Sequence, residues 1–318
     1  MSTSTAWSTL ARVLIGEPEY TSLEVATATG VPIEEARRLW GALGFAPVPE
    51  DERIFTRSDV AMLGGVRTLL EQKVADPAVV LQLTRVVGQA LARVAEAQVA
   101  ATASGGLSGK ALLERTSTLA QGVEPFLAYA WHRHLLAALL RVSAERDQAS
   151  GAPTLAVGFV DLVGFTALSQ QLSEGELAET VERFEALAYE HIPERGGRVI
   201  KMIGDEVMFA ADQGRVAADI ALALVEAYTR DPALPEVRVG LAVGPAVSWE
   251  GDLFGPTVNL ASRLVNIARP GTVLVSDDLG TQLEATHLFA LRHLRPIALK
   301  GIGRVRSWVL RRPTLQAP

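Results

Sequence analysis

The chain has 318 residues, of which 48% are hydrophobic, and it carries a formal net charge of -6. This length and apolar share allow one large domain or two ordinary ones with proper cores, and the negative charge argues against nonspecific binding to nucleic acid or acidic membranes as the main task. The sequence has no cysteine, which excludes disulfides, thiolate metal sites and cysteine nucleophiles. A metal ion would therefore be held by oxygen or imidazole ligands.

Two further features of the composition bear on location and chemistry. The N-terminal apolar run is too short for a signal peptide, and no stretch of about 18 apolar residues predicts a membrane span. We therefore expect a cytoplasmic protein. Only four of the 30 basic residues are lysines, so a lysine inside an apolar segment calls for an explanation; they are Lys73, Lys110, Lys201 and Lys300.

Residues 1–145 are predicted to form an all-α domain. Apolar residues recur at helical spacing in four segments, residues 23–45, 58–72, 77–103 and 124–147. The first segment is expected to form two short helices around Gly30, Val31 and Pro32. Glycines are expected to interrupt the helices at Gly64–Gly65, at Gly105–Gly106 and at Gly151.

Within this half, residues 20–63 resemble a helix-turn-helix of the MerR kind, in which residues 44–60 take the place of the wing. A DNA-binding module needs a basic face that follows the phosphates. Residues 17–66 instead contain nine acidic and four basic residues, a balance of -5. Nucleic acid is therefore not an expected partner, and a DNA-binding module is kept only as an alternative.

The pattern changes to alternating strands and helices after a linker at residues 146–154. Strands are expected at residues 155–160, 198–203, 206–211, 237–247 and 272–277, and helices at residues 174–192, 214–229 and 257–268. This β-α-β-β-α-β order, with an added helix and strand, predicts a ferredoxin-like α+β domain over residues 155–312. Residues 313–318 would form a tail.

Two aspartates follow predicted strands in this half. Asp161 comes directly after the strand at residues 155–160, and Asp205 lies at the tip of the next hairpin. If these strands are neighbours in one sheet, both carboxylates reach the same edge, where two oxygen ligands suit Mg²⁺ or Mn²⁺. Taken singly, each aspartate is more typical of an ordinary turn.

A third segment carries polar residues that suit a nucleotide. Asp252 lies in a glycine-bounded loop, and Asn259 and Arg263 lie at positions i and i+4 of the following helix, on one face. An asparagine beside an arginine can hold a sugar and offset charge that develops on a phosphate. Taken singly, both are more typical of solvated helix residues.

Residues 160–169, 200–209 and 252–264 closely resemble the three signature regions of the class III nucleotidyl cyclases, and residues 299–310 resemble the closing strand of that family. The similarity covers residues 153–312. It implies a class III cyclase catalytic domain, here preceded by an all-α domain. It also implies adenylate cyclase activity, in which the ribose 3′-oxygen of ATP attacks the α-phosphorus to form 3′,5′-cyclic AMP and release pyrophosphate.

The resemblance assigns a role to several polar residues. Asp161 and Asp205, with the backbone carbonyl of Leu162, would bind two Mg²⁺ or Mn²⁺ ions in each active site. Lys201 and Asp252 would recognise the purine, because a lysine donates to the adenine N1 and an aspartate accepts from the exocyclic amino group. Guanine presents the opposite pattern, so the resemblance implies ATP rather than GTP.

Asn259 is similar to the residue that positions the ribose, and Arg263 to the residue that stabilises charge on the phosphoryl group. In the family, the aspartates of one site and the remaining residues come from different protomers, so the resemblance implies a homodimer with two shared sites. One alternative is a catalytically silent domain that binds nucleotide as a regulator. A diguanylate cyclase fits less well, because Ile203 stands where those enzymes have a first glycine.

The N-terminal half resembles the helical domain of actinobacterial cyclases that inhibits the catalytic dimer and responds to pH. The segment at residues 124–147 carries His132 and His134, the candidates for pH sensing, since imidazoles titrate near neutral pH. Taken singly, each is more typical of a solvated or packed helix residue. The same helices could enclose an apolar small-molecule effector, although core packing explains their composition equally well.

Overall fold

The computed structural model describes residues 11–103, 109–147 and 154–313. The chain forms two compact units, Met1–Asp147 and Gln148–Pro318. Most of the predicted linker and of the predicted tail lies outside the described residues, as do Gly105, Gly106 and Gly151.

The described part of the N-terminal unit is helical. Its helices are α1 (residues 11–15), α2 (Ser22–Thr29), α3 (Ile33–Ala42), α4 (Arg57–Glu71), α5 (Pro77–Ala103) and α6 (Gly109–Asp147). Gly30, with a left-handed φ of 68°, ends α2 and leads into α3, which confirms the two short helices predicted there. Capping boxes start two helices, Thr21 with Glu24 at α2 and Thr56 with Asp59 at α4.

Two helices differ from the sequence-based expectation. α4 continues through Gly64 and Gly65, so the break predicted there is wrong. Each glycine costs about 1 kcal/mol in a helix interior, and the packing of the fully buried Leu63 offsets this cost. α6 starts at Gly109 rather than at residue 124 and contains Pro125 in its interior.

The core of this unit lies around α2, α3 and α4. Trp40 packs on Phe55 with ring centroids 4.5 Å apart, and Phe55 is joined to Tyr20 by an isolated β-bridge. By contrast, α5 and α6 expose many large apolar side chains along their length, among them Leu83, Leu91, Phe126, Trp131, Leu136 and Leu140. The buried core therefore stabilises the short helices more than the two long ones.

One helix qualifies the expectation that no segment spans a membrane. Among the described residues, α5 alone is long and apolar enough to cross a membrane by length and composition, with a mean hydropathy of 1.2 over its most apolar window. Helices of soluble proteins pass the same test, so this single candidate is weak support for a span.

A mixed seven-stranded sheet forms the centre of the second unit, with the strand order β2-β3-β1-β4-β7-β11-β8. These strands are β1 (Thr154–Leu162), β2 (Arg198–Ile203), β3 (Glu206–Ala211), β4 (Val237–Pro245), β7 (Val273–Ser276), β8 (Ala290–His293) and β11 (Ser307–Arg311). Neighbours are antiparallel except β4 and β7. The order β2-β3-β1-β4 is that of a ferredoxin-like split βαβ unit, which confirms the predicted α+β fold.

Helices cover both faces of this sheet. They are α7 (Phe165–Leu168), α8 (Glu174–Glu194), α9 (Gly214–Arg230), α10 (Pro256–Ile267) and α11 (Asp277–Glu284). Residues of α8, α9 and α11 pack with Val160 on one face, and α10 packs with Phe159 on the other. Because side chains alternate along a strand, Asp161 lies on the α10 side with Phe159.

Gly240 lets α10 lie close against the sheet. A Cβ added to Gly240 in β4 would lie 2.3 Å from the backbone nitrogen of Val265 and 2.4 Å from the carbonyl oxygen of Ala261. Only a glycine permits this approach of helix to strand. The position of α10, and of the polar residues on it, therefore depends on Gly240.

Four short strands form two separate hairpins that the sequence did not predict. They are β5 (Val247–Trp249), β6 (Asp252–Phe254), β9 (Ile297–Leu299) and β10 (Gly303–Val305). Each has three residues, too few for an alternating pattern to stand out. The first hairpin matters for the site, because β6 begins at Asp252.

Candidate active site

Asp161 and Asp205 lie together at one edge of the sheet, as the sequence predicted. Asp161 lies near the end of β1, and Asp205 occupies the two-residue turn between β2 and β3. The backbone N–H of Leu162 donates to the carbonyl oxygen of Asp205 at 3.1 Å, which ties the turn to β1. Gly204, the first turn residue, has a φ of 62°, a conformation that favours glycine in tight hairpins.

A row of charged side chains crosses three neighbouring strands at this edge. Asp161 pairs in register with Glu206 of β3 and with Arg238 of β4, so all three residues lie on the α10 face. Nε of Arg238 donates to Oδ2 of Asp161 at 2.6 Å, and Nη1 donates to the carbonyl oxygen of Asn266 at 3.1 Å. Arg238 therefore fixes the orientation of the Asp161 carboxylate.

Carboxylates repel one another at this edge. Burial first, and then the charges of Asp161 and Asp205, raise the pKa of Glu206 to about 7 against the opposing effect of Arg238 and Lys201. Burial also raises the pKa of Asp161, which the bond from Arg238 opposes. The chain thus places more negative charge here than its own cations neutralise.

The donor set at this edge fits a divalent cation. The carboxylates of Asp161 and Asp205 and the carbonyl of Leu162 are hard oxygen donors, which Mg²⁺ and Mn²⁺ prefer, and a bound cation would relieve the repulsion. Within the described ranges, no group of three or more His, Asp or Glu side chains could hold a metal ion by itself. Water or substrate phosphates would therefore complete the coordination.

Lys201 and Asp252 form an ion pair. Nζ of Lys201 lies 2.5 Å from Oδ2 of Asp252. Lys201 lies in β2 directly opposite Met208 of β3. Because the side chain of Met208 packs on the side of the sheet covered by α10, Lys201 lies on the same side as Asp161. The two residues that the resemblance assigns to the purine are thus in direct contact, 51 positions apart in sequence.

A tight turn places Asp252. Glu250 and Gly251 connect β5 to β6 with φ values of 53° and 82°, as a type I′ hairpin turn requires. Oδ1 of Asp252 also accepts a hydrogen bond from the backbone N–H of Leu253 at 2.8 Å. The turn and this bond hold the carboxylate toward Lys201.

Asn259 and Arg263 lie on the exposed side of α10. The helix begins at Pro256, and the Thr257 hydroxyl anchors its first turn by donating to the carbonyl oxygen of Pro245 at 2.7 Å. Both polar side chains are exposed, and within the part of the chain that the structure describes neither has a hydrogen-bond or ion-pair partner. The structure does not bring them into contact with the aspartates.

Sequence reasoning missed two residues of this site, Glu206 and Arg238. Both stand in strands that are otherwise apolar, as Lys201 does. The scarcity argument that singled out Lys201 does not apply to an arginine, so the available signal for Arg238 was its position as a charged residue within the apolar strand β4. Glu206 was overlooked because it follows the turn aspartate and resembles a second turn residue.

Two domain profiles match this chain. The adenylate and guanylate cyclase catalytic domain matches residues 148–312, which hold the whole candidate site. The chain belongs to the adenylate and guanylate cyclase family. The adenylate cyclase regulatory domain matches residues 3–143, so the helical half of this cyclase is a regulatory domain. We refer below to the two halves as the regulatory unit and the catalytic unit.

Curated relatives extend the similarity over both units of this cyclase. An adenylate cyclase of Streptomyces coelicolor is 37% identical over 94% of this chain and 88% of its own length. An adenylate cyclase of Glutamicibacter nicotianae is 33% identical over 94% of this chain and 80% of its own length. A pH-sensitive adenylate cyclase of Mycobacterium tuberculosis is 32% identical, over 91% and 77%. The expected enzyme class, an adenylate cyclase with a regulatory domain, is confirmed.

Solved structures resemble the catalytic unit. The guanylate cyclase domain of RhGC from Catenaria anguillulae in complex with GTP is 22% identical, with a TM-score of 0.48 over 52% of this chain and 100% of that chain. The adenylyl cyclase CyaB from P. aeruginosa is 21% identical, with a TM-score of 0.45 over 52% and 97%.

The residues predicted to act in the regulatory unit do not form a comparable cluster within the described residues. His132 and His134 both lie in α6 and are exposed, and the ring of His132 lies 4.8 Å from that of Trp131. In the helix-turn-helix segment, Arg37, Arg53 and Arg57 form ion pairs with glutamates. These arginines are therefore engaged within the unit rather than free to follow a phosphate backbone.

Proposed function

We propose that the chain converts ATP into 3′,5′-cyclic AMP and pyrophosphate in a homodimer with two shared active sites. The observation that carries this proposal is the ion pair of Lys201 and Asp252 on the same sheet face as the carboxylate edge. The edge formed by Asp161 and Asp205 suits metal-bound phosphates, and the ion pair suits a purine. The named activity of the curated relatives supports the same substrate.

The ion pair retains the capacity to read adenine. An ammonium group has three donors, so its bond to Asp252 leaves Lys201 free to donate to the adenine N1. A carboxylate has about four acceptor positions, and the bonds from Lys201 and from the N–H of Leu253 leave Asp252 able to accept from the exocyclic amino group. Guanine offers a donor at N1 and an acceptor at O6, which opposes this arrangement.

The exposed side chains around the site support dimerisation. Asn259 and Arg263 have no partner within the described part of the chain. The neighbouring β5–β6 hairpin exposes Val247, Trp249 and Phe254 by 63%, 53% and 50%. Aromatic and apolar side chains beside unpaired polar ones are typical of an interface. If a second copy covered this hairpin, Asn259 and Arg263 of one copy would lie next to the aspartates of the other copy.

In the reaction, the residues of this chain bind, orient and stabilise charge. Lys201 and Asp252 hold the base, Asn259 positions the ribose, and the guanidinium of Arg263 offsets charge that develops on the α-phosphate. Arg238 keeps the Asp161 carboxylate oriented. Mg²⁺ or Mn²⁺, when bound by Asp161, Asp205 and the carbonyl of Leu162, supplies Lewis acidity toward the 3′-hydroxyl and the phosphates.

A direct assay tests this function. Purified full-length protein is incubated with ATP or GTP and Mn²⁺ or Mg²⁺, and cyclic AMP, cyclic GMP and pyrophosphate are quantified. We expect cyclic AMP and pyrophosphate in equal amounts and little cyclic GMP. Nucleotide binding without any cyclic product would instead support the silent-regulator alternative, and a preference for GTP would refute the role of the ion pair.

We further propose that the regulatory unit controls activity through α6 in response to pH. His132 and His134 are exposed in this helix, which lies directly before the catalytic unit in sequence, and a relative of similar layout is named a pH-sensitive adenylate cyclase. Activity is measured against pH for the wild type and for His132→Ala/His134→Ala, with His287→Ala as a control outside α6. An unchanged profile in the double variant would exclude this role.

Three further points concern the location of the protein, an apolar effector and DNA. We propose that the protein acts in the cytoplasm, where ATP is available, and that α5 packs against protein rather than lipid. An apolar effector between the long helices stays a prediction. DNA binding is disfavoured by the acidic balance and the ion pairs of the helix-turn-helix segment; a salt-dependent gel shift below micromolar protein would revive it.

A further inference from the structure

A cavity of about 370 Å³ lies in the catalytic unit, on the opposite sheet face from the ion pair of Lys201 and Asp252. Val216 of α9 and Phe289, just before β8, line it and pack against the core beneath α8 and α9. The residues of the candidate active site lie on the α10 face instead. The cavity is therefore separate from the catalytic machinery.

Three arginines line this cavity beside a single acidic residue. Asp219 pairs with Arg312 at 2.5 Å and with Arg195 at 3.6 Å. Arg312 is also bound by Glu226, and Arg195 by Glu194, both outside the cavity lining. Within the described residues, Arg215 has no acidic partner. With Glu194 and Glu226 included, the cluster is formally neutral, and Arg215 is the arginine of the lining that no ion pair within the described residues engages.

The paired arginines also retain binding capacity. A guanidinium has five N–H donors in a planar fork, and the ion pairs of Arg195 and Arg312 engage only some of them. Such forks match the geometry of phosphate oxygens. Leu288, which is 51% exposed, and the partly buried Phe289 add an apolar wall. The volume lies at the lower end of the range for small-molecule sites.

We propose that this cavity binds a phosphate-bearing small molecule. The phosphate would lie against Arg215 and the free N–H groups of Arg195 and Arg312. Any apolar or aromatic part would pack on Leu288 and Phe289. Inorganic pyrophosphate and a nucleoside monophosphate share this chemistry and differ in whether they use the apolar wall.

Calorimetric titration of the full-length protein tests the proposal without reference to catalysis. Pyrophosphate and adenosine 5′-monophosphate are titrated separately in the presence of a chelator, which prevents a divalent cation from holding phosphate at the sheet edge. The protein carries Lys201→Ala so that the purine pair is inactive. We expect saturable binding of at least one probe, and Arg215→Ala should weaken it about tenfold or more, as the loss of a charge-assisted hydrogen bond does.

Arg230→Ala is the matched control, since it removes an exposed arginine from the other end of α9. Phe289→Leu distinguishes the two probes. If the adenine packs on Phe289, this variant should bind adenosine 5′-monophosphate more weakly and pyrophosphate with unchanged affinity. The proposal is overturned if neither probe binds, or if Arg215→Ala and Arg230→Ala have the same affinity for both probes. Thermal unfolding of each variant checks that the fold is intact.

Discussion

Two regions of the catalytic unit differ in whether their polar side chains find bonding partners within this chain. At the sheet edge, Asp161 is only 16% exposed and is bound by Arg238, and the turn that carries Asp205 is tied to β1. On α10, Asn259 and Arg263 are exposed and have no partner within the described residues. The fold thus orients the first region internally and leaves the second exposed at the surface. We infer that residues of the second region act in the site of a partner copy.

The largest expected effect concerns the sheet edge. Asp205→Ala removes one of two carboxylates that fit the metal, so activity should fall about 10³-fold or more, since the cation stabilises several kcal/mol of transition-state charge. The melting temperature should change little, because the turn lies at the surface. Asp212→Ala, at the other end of β3, serves as control. Near-normal turnover of the Asp205→Ala protein would contradict the proposed role of Asp205 as a metal ligand.

A somewhat smaller effect is expected on α10. Arg263→Ala should lower kcat by about 10²- to 10³-fold, as the loss of one preorganised transition-state donor does. It should leave the melting temperature unchanged, because the Arg263 side chain has no hydrogen-bond or ion-pair partner within the described residues. Arg269→Ala removes an exposed arginine just beyond the same helix and should leave kcat unchanged. Steady-state kinetics and thermal unfolding check both. Equal kcat values for the two variants would contradict a specific role of Arg263 in the reaction.

On the proposed function, the ion pair of Lys201 in β2 and Asp252 in β6 selects ATP over GTP. Lys201→Gln replaces a pure donor by an amide that both donates and accepts, so the ratio of kcat/KM for ATP over GTP should fall about 10- to 100-fold. Lys110→Gln, in the regulatory unit, is the control. A variant that loses activity equally with both nucleotides would show that Lys201 is structural rather than selective.

The smallest effect is on stability at the sheet edge. Because the pKa of Glu206 is raised to about 7, the folded state favours its protonated form, and stability falls as pH rises from about 4.5 to 7. Glu206→Gln should remove on the order of 1–2 kcal/mol of this loss, after allowance for partial exposure. Urea unfolding of metal-free protein at pH 5 and pH 8 measures it, with Glu182→Gln as control. Identical pH dependence in both variants would contradict the raised pKa of Glu206.

Much of this arrangement could be predicted from sequence. Strong strand and helix patterns predicted the β-α-β-β-α-β succession of a split βαβ unit, from which Asp161 and Asp205 were expected at one edge of the sheet, and the observed order β2-β3-β1-β4 agrees with that fold. The three-residue strands β5 and β6 were missed because such segments show no periodicity. The helix through Gly64 and Gly65 was missed because packing around Leu63 overrides local propensity.

Side-chain contacts between distant residues could not be predicted from the sequence. Nothing in the local sequence around Arg238 says that it will face Asp161, because that contact depends on the register of β1 and β4. The purine role of Lys201 and Asp252 came from resemblance, and the structure adds their direct contact. Their roles in catalysis stay predictions until the variants are measured.

A mixing experiment tests the central claim, a site shared between two copies. Asp205→Ala and Asn259→Ala proteins are each inactive on this account, since every site in either homodimer lacks one residue. When equal amounts are unfolded together and refolded, about half of the dimers are mixed and hold one intact site of two, so cyclic AMP formation should return to about a quarter of the wild-type rate. Mixed dimers that form, as shown by two different affinity tags, and remain inactive would contradict the account.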